Sequence, residues 1–239
     1  DEGSSLMGGG VLDASLVVDQ ASVYPGNNVG TLTVTGNATF NALSELVIEK
    51  DNVLADQLNV AGNVVVNTGS SLSIVSSGGY KGVYLDSFTA IQSAALTGVF
   101  DTVNQETNFI VTPTYTATDL SFVVDSLLNN WTGAGVDDLW STAANWSNGV
   151  PGLGHDTFIN GVFTVDYDAG TNTILTLTTS SGSLLSLLGG SLTVDGLTNI
   201  GGSFSMSNSM FSANSDMSAL TMSLSDATLD GNNANLTVS

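Results

Sequence analysis

Asp166 and Asp168 flank Tyr167 in the stretch "FTVDYDAG", which alternates like a strand and so puts both carboxylates on one face. Paired carboxylates are the material of a glycosidase, but this pair, about 7 Å apart along a strand, has no supporting acid, base or cation beside it. Together with Asp156 or a backbone carbonyl, Asp166 and Asp168 would suit a calcium ion. Left in water, they would be plain surface charge. No Asp-x-Asp-x-Asp-Gly loop or Gly-Gly-x-Gly-x-Asp repeat accompanies them. Calcium is therefore the one cofactor the chain suggests.

Trp131, Trp140 and Trp146 form a second candidate set. As an aromatic platform they would stack on a sugar, with Asp137, Asp138 and Asn145 bonding its hydroxyls; as buried rings they would close the end of a packed block. His155 is the only histidine and there is no cysteine, which leaves zinc and histidine-based nucleophilic catalysis almost no material. No Gly-x-Ser-x-Gly elbow stands in a strand-to-helix setting. With no arginine, the groups that would neutralise an acidic polysaccharide are also missing. These residues do not add up to an enzyme.

The balance of charge narrows the partners. Two basic residues, Lys50 and Lys81, stand against 22 acidic ones in 239 residues, a net charge of −20. Such a chain lacks the cations that phosphate contacts require, so nucleic acid is excluded, and an anionic lipid surface would repel it. No run of some eighteen apolar residues would insert into a membrane. Trypsin-like proteases have almost no bond to cut. The opening "DEGSSLMGGG" has neither an initiator Met nor a signal peptide, and the ending "NNANLTVS" stops within a strand-like pattern, as expected of a mature or internal fragment of an exported protein.

The elements that would position these residues are strands. Ser, Thr, Asn and Gly supply the polarity, Val and Thr favour strands, and Gly and Asn punctuate turns. Short alternating runs recur, among them Gly30–Val34, Gln57–Val60, Ser71–Val75, Phe158–Val165, Ile174–Leu177 and Ser191–Val194. Only Asn41–Asn52 could pass for a short helix, and its Leu46-Val47-Ile48 reads equally as strand. From Leu32 to Leu58 is 26 residues, from Leu58 to Leu72 is 14 and from Leu192 to Phe204 is 12. Irregular multiples of a strand-plus-turn unit, with almost no charge inside the runs, predict an all-β chain that lays each turn on the last as a right-handed parallel β-helix, or β-solenoid. The alternative is a β-sandwich or jelly roll. A shift in composition divides the chain into residues 1–128 and a second block, 129–239, opened by the tryptophan-rich stretch.

"YPGNNVGTLTVTGN" (Tyr24 to Asn37), "DQLNVAGNVVVNTGSSLSI" (Asp56 to Ile74), "LTGVFDTV" (Leu96 to Val103) and "NFIVTPTYTATDLSFVV" (Asn108 to Val124) together resemble the β-helix passenger of bacterial autotransporters. "WTGAGVDDLWSTAANWSNGVPGLGHDTFIN" (Trp131 to Asn160) is similar to the element that opens autotransporter-associated β-strand repeats in large bacterial surface proteins. Here the first set leads into a second solenoid block, where an autotransporter usually continues into a membrane barrel. The resemblance implies adhesion, surface coating and self-association. Within the first two motifs, Gly26, Gly30, Gly36 and Gly62 suit turns that need positive φ or close backbone approach, and Pro25 stiffens the entry. The expected function is an extracellular or cell-surface structural protein, part of a fibre, filament, sheath or adhesin stalk that self-associates through strand stacking. The alternative is an adhesin module that binds surface glycans or a host surface.

Overall fold

The computed structural model describes residues 3–232 and 234–238. The chain is all-β: among the described residues the only helical element is a single 3-10 turn, Ala143–Asn145. Two compact units divide it, Asp1–Asp125 and Ser126–Ser239.

Unit 1 opens with β1 (Ser5–Met7), β2 (Gly10–Leu12), β3 (Leu16–Val18), β4 (Ser22–Tyr24), β5 (Thr31–Val34), β6 (Ala38–Phe40) and β7 (Glu45–Lys50). It continues through β8 (Gln57–Val66), β9 (Ser71–Ser76), β10 (Ser87–Thr97), β11 (Thr102–Gln105), β12 (Phe109–Tyr115) and the start of β13 (Asp119–Asn130). Parallel pairing assembles these into stacks. One runs β1-β4-β7-β9-β11, a second β2-β5-β8-β10, and a third joins β3 and β6 to the end of β8. Register sets like on like: Leu6, Val23, Leu46, Leu72 and Val103 form one column, Leu32, Leu58 and Ile91 another, and Val18, Phe40 and Val66 a third. In β5, Leu32 and Val34 are buried while Thr31 and Thr33 face outward, the alternation that period-two geometry dictates. The last strands depart from this pattern, with β10 pairing antiparallel to β13 and β12 adding to β13.

Unit 2 contains the end of β13 and then β14 (His155–Ile159), β15 (Thr164–Tyr167), β16 (Thr171–Ile174), β17 (Thr176–Thr179), β18 (Leu184–Leu187) and β19 (Gly190–Val194). It finishes with β20 (Thr198–Ser207), β21 (Ser209–Ala213), β22 (Met217–Ser225), β23 (Thr228–Asp230) and β24 (Leu236–Val238). Its three parallel stacks are more regular: stacked partners such as Leu177 and Thr198, Val165 and Leu185, Leu185 and Phe204, or Phe204 and Met222 lie 18 to 21 residues apart. Val165, Leu185 and Phe204 make one inward column and Leu192 and Phe211 part of another, all essentially buried.

Several expectations change here. Sandwiches and jelly rolls are built from antiparallel strands, whereas parallel pairing dominates both units. Asn41–Asn52 is not a helix; Glu45–Lys50 is strand β7, because its apolar residues complete columns with β4 and β9. Phe158–Val165 is two strands broken at a corner through Gly161, whose φ of 140° an L-residue resists. Ile174–Leu177 is likewise split between β16 and β17.

Candidate functional site

The tryptophan-rich segment closes one end of the unit 2 core. Leu127–Asn130 of β13 pairs in parallel with His155–Phe158, and the chain then bridges Trp131 back to Trp146. Residues 138–140 lie along β15, the amide of Asp166 donating to the carbonyl of Asp138 and that of Trp140 to the carbonyl of Asp166, both at 2.8 Å. The edge of β15 therefore has its backbone groups paired rather than bare.

The three indoles fill the space beneath. Trp131, Trp140 and Trp146 are 4%, 0% and 4% exposed. Trp146 meets Trp131 edge-to-face at 4.9 Å and Trp140 at 4.7 Å, while Trp140 meets Tyr167 at 5.4 Å. The Trp146 indole N–H donates to the carbonyl of Trp140 at 2.8 Å, whereas the buried Trp140 N–H has no hydrogen-bond partner. Rings placed this way offer no open face to a sugar. Asn145, fully buried, holds the loop: its Nδ2 donates to the carbonyls of Asp137 and Leu139, and its Oδ1 accepts from the amide of Gly135 at 2.8 Å. Asp137 accepts from Thr142 Oγ1 at 3.0 Å. The groups proposed to bond a sugar are bonding the loop itself, and Asp138 contributes its carbonyl to β15.

The structure does not gather Asp156, Asp166 and Asp168 into one ligand set. Asp156 accepts from Thr176 Oγ1 at 2.7 Å on β14, and Asp168 accepts from the amide and hydroxyl of Ser141 at 2.9 and 2.6 Å. Among the described residues no three His, Cys, Asp or Glu side chains come together in a group that could hold a metal ion. His155 is mostly buried, its Nδ1 accepting from the amide of Gly152 at 3.0 Å with the Asn129 side chain at 3.2 Å. Burial holds its pKa below the usual imidazole range, against a smaller opposing pull from Asp156.

In unit 1, the motif glycines turn out to serve a carboxylate. Asp56, fully buried, accepts from the amide of Gly30 through Oδ1 at 2.7 Å and from the amide of Glu49 through Oδ2 at 2.9 Å. A Cβ on Gly26 would stand 2.7 Å from that Oδ1 and collide with the carbonyl of Asn28. Close approach, not positive φ, explains Gly26, Gly30, Gly36 and Gly62, none of which has a left-handed φ. At the next corner, Gly36 and Gly62 stack, and a Cβ on Gly62 would stand 2.7 Å from the carbonyl oxygen of Gly36. Pro25 is buried at the first of these corners, next to Gly26 and with its carbonyl oxygen near Gly30. Desolvation pushes the Asp56 pKa up, and its two amide bonds pull part of the way back.

One group of residues carries no sequence signal beyond the scarcity of cations. Lys50, at the end of β7, is buried with its Nζ 3.0 Å from Asp86 Oδ2, 2.6 Å from the carbonyl of Asp51 and 4.5 Å from the centre of the Tyr80 ring. Comparison with family models, with curated proteins and with solved structures finds no match to this chain.

Proposed function

We propose that each unit is a β-solenoid of the right-handed parallel β-helix kind and that the chain serves as an extracellular structural segment of a surface stalk, fibre or sheath. The observation that carries this reading is the in-register stacking: parallel strands recur in three stacks, with apolar columns inward and Ser, Thr and Asn outward. A wall of this kind derives its strength from backbone hydrogen bonds and buried columns, and it needs no reactive group. Polar side chains also run as ladders between adjacent strands: Asn67 donates to Asn41, Ser218 to Asn199 and Asn232 to Asn214. The resemblance of the Tyr24–Asn37 and Trp131–Asn160 segments to autotransporter-type surface proteins points the same way.

Immunogold labelling of intact, unpermeabilised cells of the source organism tests the location, and gold on the outer surface is expected. Label confined to the cell interior would overturn the reading. Self-association through strand stacking is part of it, so sedimentation velocity, with and without calcium, should show larger species as protein concentration rises. A single monomeric boundary at every concentration would remove the fibre-forming role.

A further inference from the structure

Lys50 is an odd residue to bury. The chain has one other cation and 22 acidic residues to keep hydrated, yet the Lys50 side chain is 3% exposed and packs over Tyr80, with Phe88 centred 6.0 Å away. The ammonium has left water almost entirely, whereas Asp86 keeps 28% of its side chain exposed, so the Lys50 end carries most of the desolvation cost. Both ends are held by backbone. The carbonyl of Lys50 accepts from the amide of Ser77, the Asp86 amide donates to the carbonyl of Val83, and the Asp86 carbonyl accepts from the amide of Val124. The Tyr80 hydroxyl donates to the same Oδ2 that faces Nζ, at 3.0 Å, and accepts from the amide of Val83 at 3.3 Å.

We propose that Lys50 and Asp86 join in an intramolecular isopeptide bond, formed by the protein itself. The ammonium first gives one proton to Oδ2. The amine nitrogen then attacks Cγ, a second Nζ proton passes to Oδ2, the Cγ–Oδ2 bond breaks, and water leaves. Oδ1 becomes the carbonyl oxygen of the new amide. Nothing is oxidised or reduced, and because one positive and one negative charge vanish together, the net charge stays the same. Tyr80 donates a hydrogen bond to the departing oxygen throughout; burial first, and then Asp86, hold its phenol well above the usual range, so it keeps its proton. The product ties the end of β7 to the residue before β10, enclosing the connections 51–56 and 77–86 in one covalent loop.

Two measurements on the intact chain decide the matter. Its mass should fall below the sequence value by one water, about 18 Da. Trypsin acting on the denatured chain should cut after Lys81 but not after Lys50, leaving residues 1–81 and 82–239 joined as one branched molecule. Three separate peptides, 1–50, 51–81 and 82–239, would overturn the proposal. Lys50→Arg provides the control, and it should show the full sequence mass. Water loss that persists in Lys50→Arg would come from elsewhere, such as the Asp195-Gly196 or Asp230-Gly231 pairs, and would also overturn the assignment.

Discussion

Replacing Trp140 with alanine separates a buried closure from an aromatic platform. The ring is fully buried and touches Trp146 and Tyr167 edge-to-face, so the substitution removes a large apolar side chain and leaves a cavity beneath residues 138–140. Large aromatic-to-alanine changes in such places cost about 3–5 kcal/mol. With a urea m-value of about 2 kcal/mol per molar, the unfolding midpoint should fall by about 1.5–2.5 M. All three tryptophans of the chain belong to unit 2, so emission excited at 295 nm reads that unit, with Trp131 and Trp146 remaining as reporters in the variant. Far-ultraviolet circular dichroism follows both units together. A midpoint within about 0.3 M of the parent would mean the ring is not packed as described. If glycan binding were lost at that unchanged midpoint, the reasoning would fail entirely and the platform would stand.

Two further outcomes follow from buried polar groups. Asp56→Asn keeps the shape but has only one acceptor oxygen, so either the Gly30 or the Glu49 amide loses its partner; unit 1 should be destabilised by about 1–3 kcal/mol at neutral pH, read by chemical denaturation. An unchanged midpoint would show that the two amide bonds do not hold this corner. For His155, a folded pKa below the unfolded value means that folding favours the neutral ring. Its contribution is intact above the unfolded pKa of about 6.5 and is lost as pH falls from there to the folded value, at about 1.4 kcal/mol per unit of depression. The single histidine gives one C–H resonance pair to titrate by NMR, and a pKa at or above the unfolded value would contradict the buried, amide-bonded Nδ1.

The all-β class was legible because alternation is local: Leu32 and Val34 face inward and Thr31 and Thr33 outward with no knowledge of their neighbours. Spacing was harder to interpret. The 26 residues from Leu32 to Leu58 do separate stacked partners, but the 14 from Leu58 to Leu72 and the 12 from Leu192 to Phe204 connect different stacks, so they measure passage around a turn rather than a repeat. Asn41–Asn52 stayed ambiguous because a run of three apolar residues fits either period. The motif glycines could be identified as turn residues, but the carboxylate that requires them sits 26 residues after Gly30. The Lys50, Tyr80 and Asp86 grouping is assembled wholly by tertiary structure and has no spacing to read.

In unit 1, stacked partners move further apart along the chain, from 22 residues between Gly10 and Leu32 to 26 between Leu32 and Leu58 and 33 between Leu58 and Ile91, while their side-chain columns remain aligned. The largest addition leaves the wall at one corner: the connection between β9 and β10 runs ten residues, 77–86, where the equivalent connections from β4 to β5 and from β7 to β8 each take six. That corner is a port for new sequence. Lengthening a loop there costs only about 0.6 kcal/mol per doubling, and no register has to change. Variation in length, epitope or foreign cargo can thus accumulate at this position without disturbing the columns that hold the wall together.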